Sequence, residues 1–218
     1  LARCGRENDV ALLNRQLVAL SREAAGGRAL VAGDLTTTGV PLEPAGTMTY
    51  HELFEIYTEQ ITALAEAGAD LLVVETMLGI DEMTVALEAA QSVCALPVLC
   101  SMTVQADGSG YFGGTCVEAV ETLQELGAAA VGINCSTGPD QLESLVRNMR
   151  QAAKVPLLVK PNAGMPEISP EGEAIYSMGP AAFAQHMRTL IDAGAALVGG
   201  CCGTDPRYIS ALRDVLPR

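Results

Sequence analysis

Cys201 and Cys202 are adjacent in the run Val198-Gly199-Gly200-Cys201-Cys202-Gly203-Thr204. Neighbouring cysteines do not easily form an unstrained disulfide with each other, but they can share one soft metal ion. Glycines at 199, 200 and 203 let the backbone turn sharply enough for both side chains to face that ion. A third thiol, Cys135, closes the run Gly132-Ile133-Asn134-Cys135-Ser136. Three sulfur ligands with one position open are the donor set of a catalytic zinc, whereas a structural zinc is closed by four protein ligands. The competing reading makes these cysteines small buried hydrophobes. Paired cysteines among glycines are poor core material, so zinc-dependent thiol chemistry is the better expectation.

For three thiols so far apart in sequence to meet, the chain must bring several element ends to one place. A repeating alternation offers this: a short aliphatic strand, a turn, then an amphipathic helix. Strands are expected at Ala29–Ala32, Leu71–Val74, Val98–Met102, Ala130–Asn134, Leu157–Lys160 and Leu197–Gly199, each apolar on both faces like a covered parallel strand. Helices are expected at Asp9–Ala25, Tyr50–Ala67, Asp81–Val93, Cys116–Leu126, Gln141–Ala153 and Pro180–Ala193. Asp205-Pro206 supplies an N-cap and a first-turn proline for a last helix. No G-x-G-x-x-G or P-loop follows an early strand, which argues against a doubly wound nucleotide-binding sheet. Polar residues instead follow many strands: Asp34 and Thr36–Thr38, Glu75, Ser101 and Thr103, Asn134 and Cys135, Asn162, Cys201 and Cys202. That distribution fits the carboxyl face of a (β/α)8 TIM barrel. Six strands cannot close eight, and the first helix would follow a missing strand. The expectation is one barrel domain over residues 1–218 that lacks its first two strands.

Bulk composition narrows the function classes. The 218 residues carry 26 acidic against 13 basic side chains, a net charge of −13, which offers no footprint for nucleic acid. Seven cysteines, an odd number with irregular spacing and with Cys94 and Cys100 in apolar runs, fit reduced thiols in a cytoplasmic protein. No apolar run approaches the ~18–20 residues of a membrane span. The start, Leu1-Ala2-Arg3-Cys4, has no apolar signal stretch and no initiator Met, and reads as a fragment.

Gly-Ile-Asn-Cys-Ser together with Gly-Gly-Cys-Cys-Gly-Thr resembles the homocysteine S-methyltransferase family. That family includes the homocysteine module of cobalamin-dependent methionine synthase and the betaine-dependent enzyme. The resemblance covers nearly the whole chain, through Val74-Glu75-Thr76, Ser101-Met102-Thr103, Lys160-Pro161-Asn162-Ala163-Gly164 and Gly179-Pro180. It implies a (β/α)8 barrel with zinc held by Cys135, Cys201 and Cys202, Asn162 filling the fourth position before substrate arrives. It implies further that Glu75 holds the substrate's α-ammonium. The implied reaction is attack of the homocysteine sulfur, acidified by zinc, on a donor methyl group to give methionine. No separate general base is demanded, and His51 and His186, both in expected helices, are not assigned to zinc.

The residues themselves leave alternatives open. Glu75 closes an apolar strand, where it needs a cationic partner, either a substrate or a protein Lys or Arg. Asn162 follows a proline and either points into the mouth or caps a turn. Ser101, Thr103 and Asn134 either bind the substrate carboxylate or orient the cysteines. The Gly108–Gly114 loop offers Tyr111 and Phe112 as cover. The leading expectation for the donor is methylcobalamin charged by methyltetrahydrofolate, on a cobalamin-binding domain or protein. The segment Pro166–Met178, with Glu171-Gly172-Glu173 and Tyr176, resembles the methionine-synthase type. The same-fold alternative is a standalone enzyme using S-methylmethionine or betaine, and the different-class alternative is a non-catalytic zinc or thiol-redox protein.

Overall fold

The computed structural model describes residues 1, 4–170 and 172–217. Helix α1 (Val10–Ala25) leads into strand β1 (Ala32–Thr36), α2 (Tyr50–Glu66), β2 (Leu71–Met77), α3 (Ile80–Val93), β3 (Val98–Met102) and α4 (Cys116–Glu125). Then come β4 (Ala130–Asn134), α5 (Glu143–Ala152), β5 (Leu157–Lys160), a hairpin of β6 (Pro166–Ile168) and β7 (Ala174–Tyr176), α6 (Pro180–Asp192), β8 (Ala195–Val198) and α7 (Pro206–Val215). The six long strands form one parallel sheet in the order β1-β2-β3-β4-β5-β8, and the hairpin is a separate antiparallel pair. Each step moves to the next strand, as in a barrel wall. The sheet is that of a partial TIM barrel, with β1 and β8 at its two ends.

Local sequence explains the elements. Thr49 with Glu52, and Thr115 with Glu118, form reciprocal capping boxes at the starts of α2 and α4. Gly68 and Gly127 stop those helices in the left-handed region, at φ 87° and 92°. The helix-facing side of the sheet is fully apolar: Leu35, Leu72, Val74, Cys100, Met102, Ile133 and Val159 are all buried. The opposite side faces the barrel interior. There, parallel register sets Asp34 beside Val73 and Thr36 beside Glu75, and it sets Asn134 beside Lys160.

Four expected boundaries need correction, and in one of them the second strand runs on past Val74 to Met77, so that Glu75 lies within it. The first strand lies at Ala32–Thr36 rather than Ala29–Ala32. The apolar run 29–32 suggested the earlier site, but Leu30 is exposed and the actual strand alternates, with Gly33 and Leu35 buried and Ala32, Asp34 and Thr36 open. Asp34 is therefore within the strand, not beyond it. The last strand spans Ala195–Val198, because Gly199 and Gly200 already belong to the turn that carries the cysteines. The fifth long helix begins at Glu143, after a 3-10 turn at Pro139–Gln141. The β6–β7 hairpin was not anticipated, since three-residue strands give too little alternation to read.

Buried Glu82, on α3, anchors the loop after β1. Its carboxylate accepts from Thr37 Oγ1 (2.6 Å), from the Thr38 amide (2.7 Å) and hydroxyl (2.9 Å), and from the Tyr57 hydroxyl (2.9 Å). Four donors satisfy its buried oxygens. Thr37 and Thr38 are thereby structural. No helix among the described residues is long and apolar enough to cross a membrane.

Candidate metal centre and substrate mouth

Cys135, Cys201 and Cys202 converge at the carboxyl ends of β4 and β8, with their sulfurs all within 4.8 Å of one another. Cys135 Sγ and Cys202 Sγ are 3.3 Å apart. Tetrahedral zinc with bonds of about 2.3 Å needs sulfurs roughly 3.8 Å apart, within the spread seen here. Cys135 has φ 55°, a left-handed conformation that turns its side chain away from the strand direction toward the other two.

Three turns are stitched together beneath the thiols. The Cys201 amide donates to Pro161 O (2.8 Å), Ala163 N to Cys202 O (2.9 Å), Asn162 N to Thr137 O (3.0 Å) and Cys135 N to Lys160 O (3.1 Å). Asn162 is buried, and its Oδ1 accepts from the Cys202 amide at 3.1 Å. Thr204 folds back, its hydroxyl donating to Cys201 O at 2.7 Å. A Cβ on Gly200 would lie 2.5 Å from that Thr204 oxygen, so the turn requires glycine there.

Asn134 links Cys201 to Thr76, the residue after Glu75. Its Oδ1 accepts from the Thr76 amide (2.9 Å) and the Ser101 hydroxyl (2.8 Å). Its Nδ2 donates to Thr76 Oγ1 (2.8 Å) and reaches Cys201 Sγ (3.8 Å). Thr76 is held at φ 58°, costly for a β-branched residue. Thr103 donates to the Asn134 carbonyl at 3.1 Å. Ser101, Thr103 and Asn134 thus form one buried network directed at Cys201 and at the irregular stretch of β2 that carries Glu75.

Glu75 meets Lys160 in an ion pair across the concave face, both side chains half-buried. Asp34 looks into the same space: burial raises its pKa, Lys160 lowers it and Cys201 raises it. A cavity of about 500 Å³ opens at the free edge of β1 beneath α1 and α2, and takes in Asp34 and Thr36–Thr38 rather than the thiols. Tyr176, on the hairpin, lies flat against Gly203, where an added Cβ would be 2.3 Å from the ring. Its phenol is pushed up by desolvation and by neighbouring Cys202. Sequence reasoning used Tyr176 only as a sign of donor type and left Lys160 unassigned. A lysine ending the run Leu157-Leu158-Val159 was the available signal. Tyr111 is exposed and lines a second cavity of about 320 Å³ with Ser136, while Phe112 packs against Gly79. His51 and His186 are exposed on α2 and α6 and do not belong to the thiol cluster. Glu171 lies outside the described residues.

Electrostatics separates Cys201 from Cys135. The hydrogen bond from Cys135, opposed by burial and helped by Asn134, lowers Cys201 to about 5, while the same contact raises Cys135. Above pH 5 the metal-free cluster therefore holds a thiolate at Cys201. In metal-free protein at pH 6.5, iodoacetamide is expected to label Cys201 at least about fivefold faster than Cys135. The gain in ionised fraction outweighs the lower nucleophilicity of a low-pKa thiolate. The preference should fade below pH 5, and peptide mass spectrometry showing equal labelling of both would contradict this assignment.

A sequence model of the homocysteine S-methyltransferases matches residues 1–216. The chain belongs to the homocysteine S-methyltransferase family. Methionine synthase from Mycobacterium leprae is 30% identical over 186 residues, 83% of this chain and 15% of that protein. The Mycobacterium tuberculosis methionine synthase is 31% identical over 177 residues, 78% of this chain and 15% of that protein. The chain thus spans 15% of the length of these curated relatives. The Escherichia coli homocysteine methyltransferase MmuM, apo form, superposes with a TM-score of 0.77 at 24% identity, covering 94% of this chain and 74% of that one. Its metallated form gives 0.76 at 23% identity, covering 94% and 70%. These structures support the barrel fold. Family membership agrees with the family resemblance read from the sequence.

Proposed function

We propose that residues 1–218 are one homocysteine-binding barrel domain of a cytoplasmic, zinc-dependent homocysteine S-methyltransferase that forms methionine. The observation that carries this reading is the convergence of Cys135, Cys201 and Cys202 on one point at the carboxyl face of the sheet. These three residues would hold the ion, and the buried Asn162, whose Oδ1 accepts from the Cys202 amide, would fill the fourth position when substrate is absent. Zinc bound there would supply Lewis acidity that keeps a homocysteine thiol deprotonated at neutral pH. The chain's own residues do the rest. Glu75 receives the substrate ammonium, and the Asn134 network, with Ser101 and Thr103, fixes Glu75 relative to Cys201. The reaction then depends on orientation of the sulfur toward the donor methyl.

For the donor we favour methylcobalamin charged by methyltetrahydrofolate and carried on another domain or protein. The support is the pair of methionine synthases, which extend far beyond the matched segment. The coverage of most of the MmuM chain favours a second reading, a standalone enzyme with another methyl donor such as S-methylmethionine or betaine. Zinc analysis of the full-length protein, followed by methionine formation from homocysteine with each of the three donors, tests both. One zinc per chain and turnover with methylcobalamin alone is the expected result. Absence of zinc, or no methionine from any donor, would refute the enzyme reading.

A further inference from the structure

Among the described residues, every Arg, His and Lys other than Lys160 is exposed. Lys160 is half-buried at the end of β5 and reaches inward to Glu75 on β2. Strands β3 and β4 separate β2 from β5. At about 4.8 Å per strand the two side chains span the concave face to meet. The lysine stem passes over Gly199, where an added Cβ would lie 3.3 Å from Lys160 Cγ, directly before the turn that bears Cys201. Asp34 faces the same ammonium from β1. The mouth therefore holds two carboxylates, one ammonium and, beside them, three thiols. A cationic group entering it finds two anions. An anionic group finds a single cation.

We propose that Lys160 determines specificity for an α-amino-acid thiol by binding the substrate's carboxylate. This rests on the homocysteine reading above. In the free protein the Lys160 ammonium occupies the place on Glu75 that a substrate ammonium requires. A zwitterion resolves the competition: its ammonium takes Glu75, and the released Lys160 takes its carboxylate. One internal ion pair is exchanged for two with the ligand, and neither Glu75 nor Lys160 is left unpaired. A thiol with an amine but no carboxylate must displace Lys160 and gives it nothing in return. A thiol acid without an amine leaves Glu75 unpaired.

Calorimetric titration of the zinc-loaded full-length protein with homocysteine and with 3-aminopropane-1-thiol tests this, comparing wild type, Lys160→Met and Lys160→Arg. Lys160→Met should weaken homocysteine by roughly tenfold or more, while 3-aminopropane-1-thiol binds it as tightly as wild type or more tightly, since its competitor for Glu75 is gone. Lys160→Arg should restore most of the homocysteine affinity. Unchanged homocysteine binding in Lys160→Met would overturn the proposal. So would equal weakening of both ligands with unchanged zinc content, which marks a merely structural lysine. If wild type binds neither thiol, the homocysteine reading itself fails and takes this one with it.

Discussion

Cys202→Ala is expected to lose bound zinc and to abolish methionine formation while leaving the fold intact. Removing an outer partner of a zinc ligand costs about 10–100-fold in affinity or activity, so deleting one of three ligands should cost more. Two remaining thiols cannot match the proposed three-sulfur set, and the loss should exceed ~100-fold in zinc affinity. Little structural harm is expected. Cys202 is exposed, and its backbone contacts to Asn162 and Ala163 involve no side-chain sulfur. Zinc retention after dialysis against a weak chelator, read beside the thermal melt, separates the two effects. A variant that keeps one zinc per chain and its turnover would refute the three-thiol site.

Asn134→Ala should damage both stability and the site while sparing the thiols themselves. It strands the Thr76 amide and the hydroxyl of fully buried Ser101, each worth about 1–3 kcal/mol when left unsatisfied. It also removes the two-point hold on Thr76, whose left-handed conformation costs on the order of 1–3 kcal/mol unless its surroundings enforce it. Relaxation of Thr76 offsets part of the loss, so a destabilisation of about 2–4 kcal/mol is expected. For 218 residues this corresponds to a melting temperature lower by roughly 5–15 °C. As Glu75 precedes Thr76, KM for homocysteine should rise at temperatures where the variant is still folded. Denaturant melts within about 1 kcal/mol of wild type would show that the network does not hold the site.

Much of this was legible in one dimension. The apolar strands and their capped helices carry their own signals, because a covered parallel strand must be apolar on both faces and a helix must satisfy its first amides. β3, β4 and β5 accordingly lie where expected. Where the signal was ambiguous the expectation slipped. The run at 29–31 is apolar yet precedes the strand, since Asp34 and Thr36 face the interior and hide the continuation of β1. The hairpin of β6 and β7 is stabilised by two-strand pairing too short to leave a pattern.

The site divides along the same line. Residue type and local spacing alone marked Cys135, Cys201 and Cys202 as soft-metal donors and placed Asn134 at a strand end with Glu75 and Asn162 near others, because the ligand chemistry of a thiol and the glycines that free a turn are local properties. What only the tertiary structure decided is which group faces which. Ser101 and Asn134 face each other from adjacent strands, Asn162 holds the Cys202 backbone, and Glu75 is answered by Lys160 from 85 positions away. Such pairings arise where side chains cross the concave face of a curved sheet, and strand curvature and register set them, neither of which is written at the positions that meet.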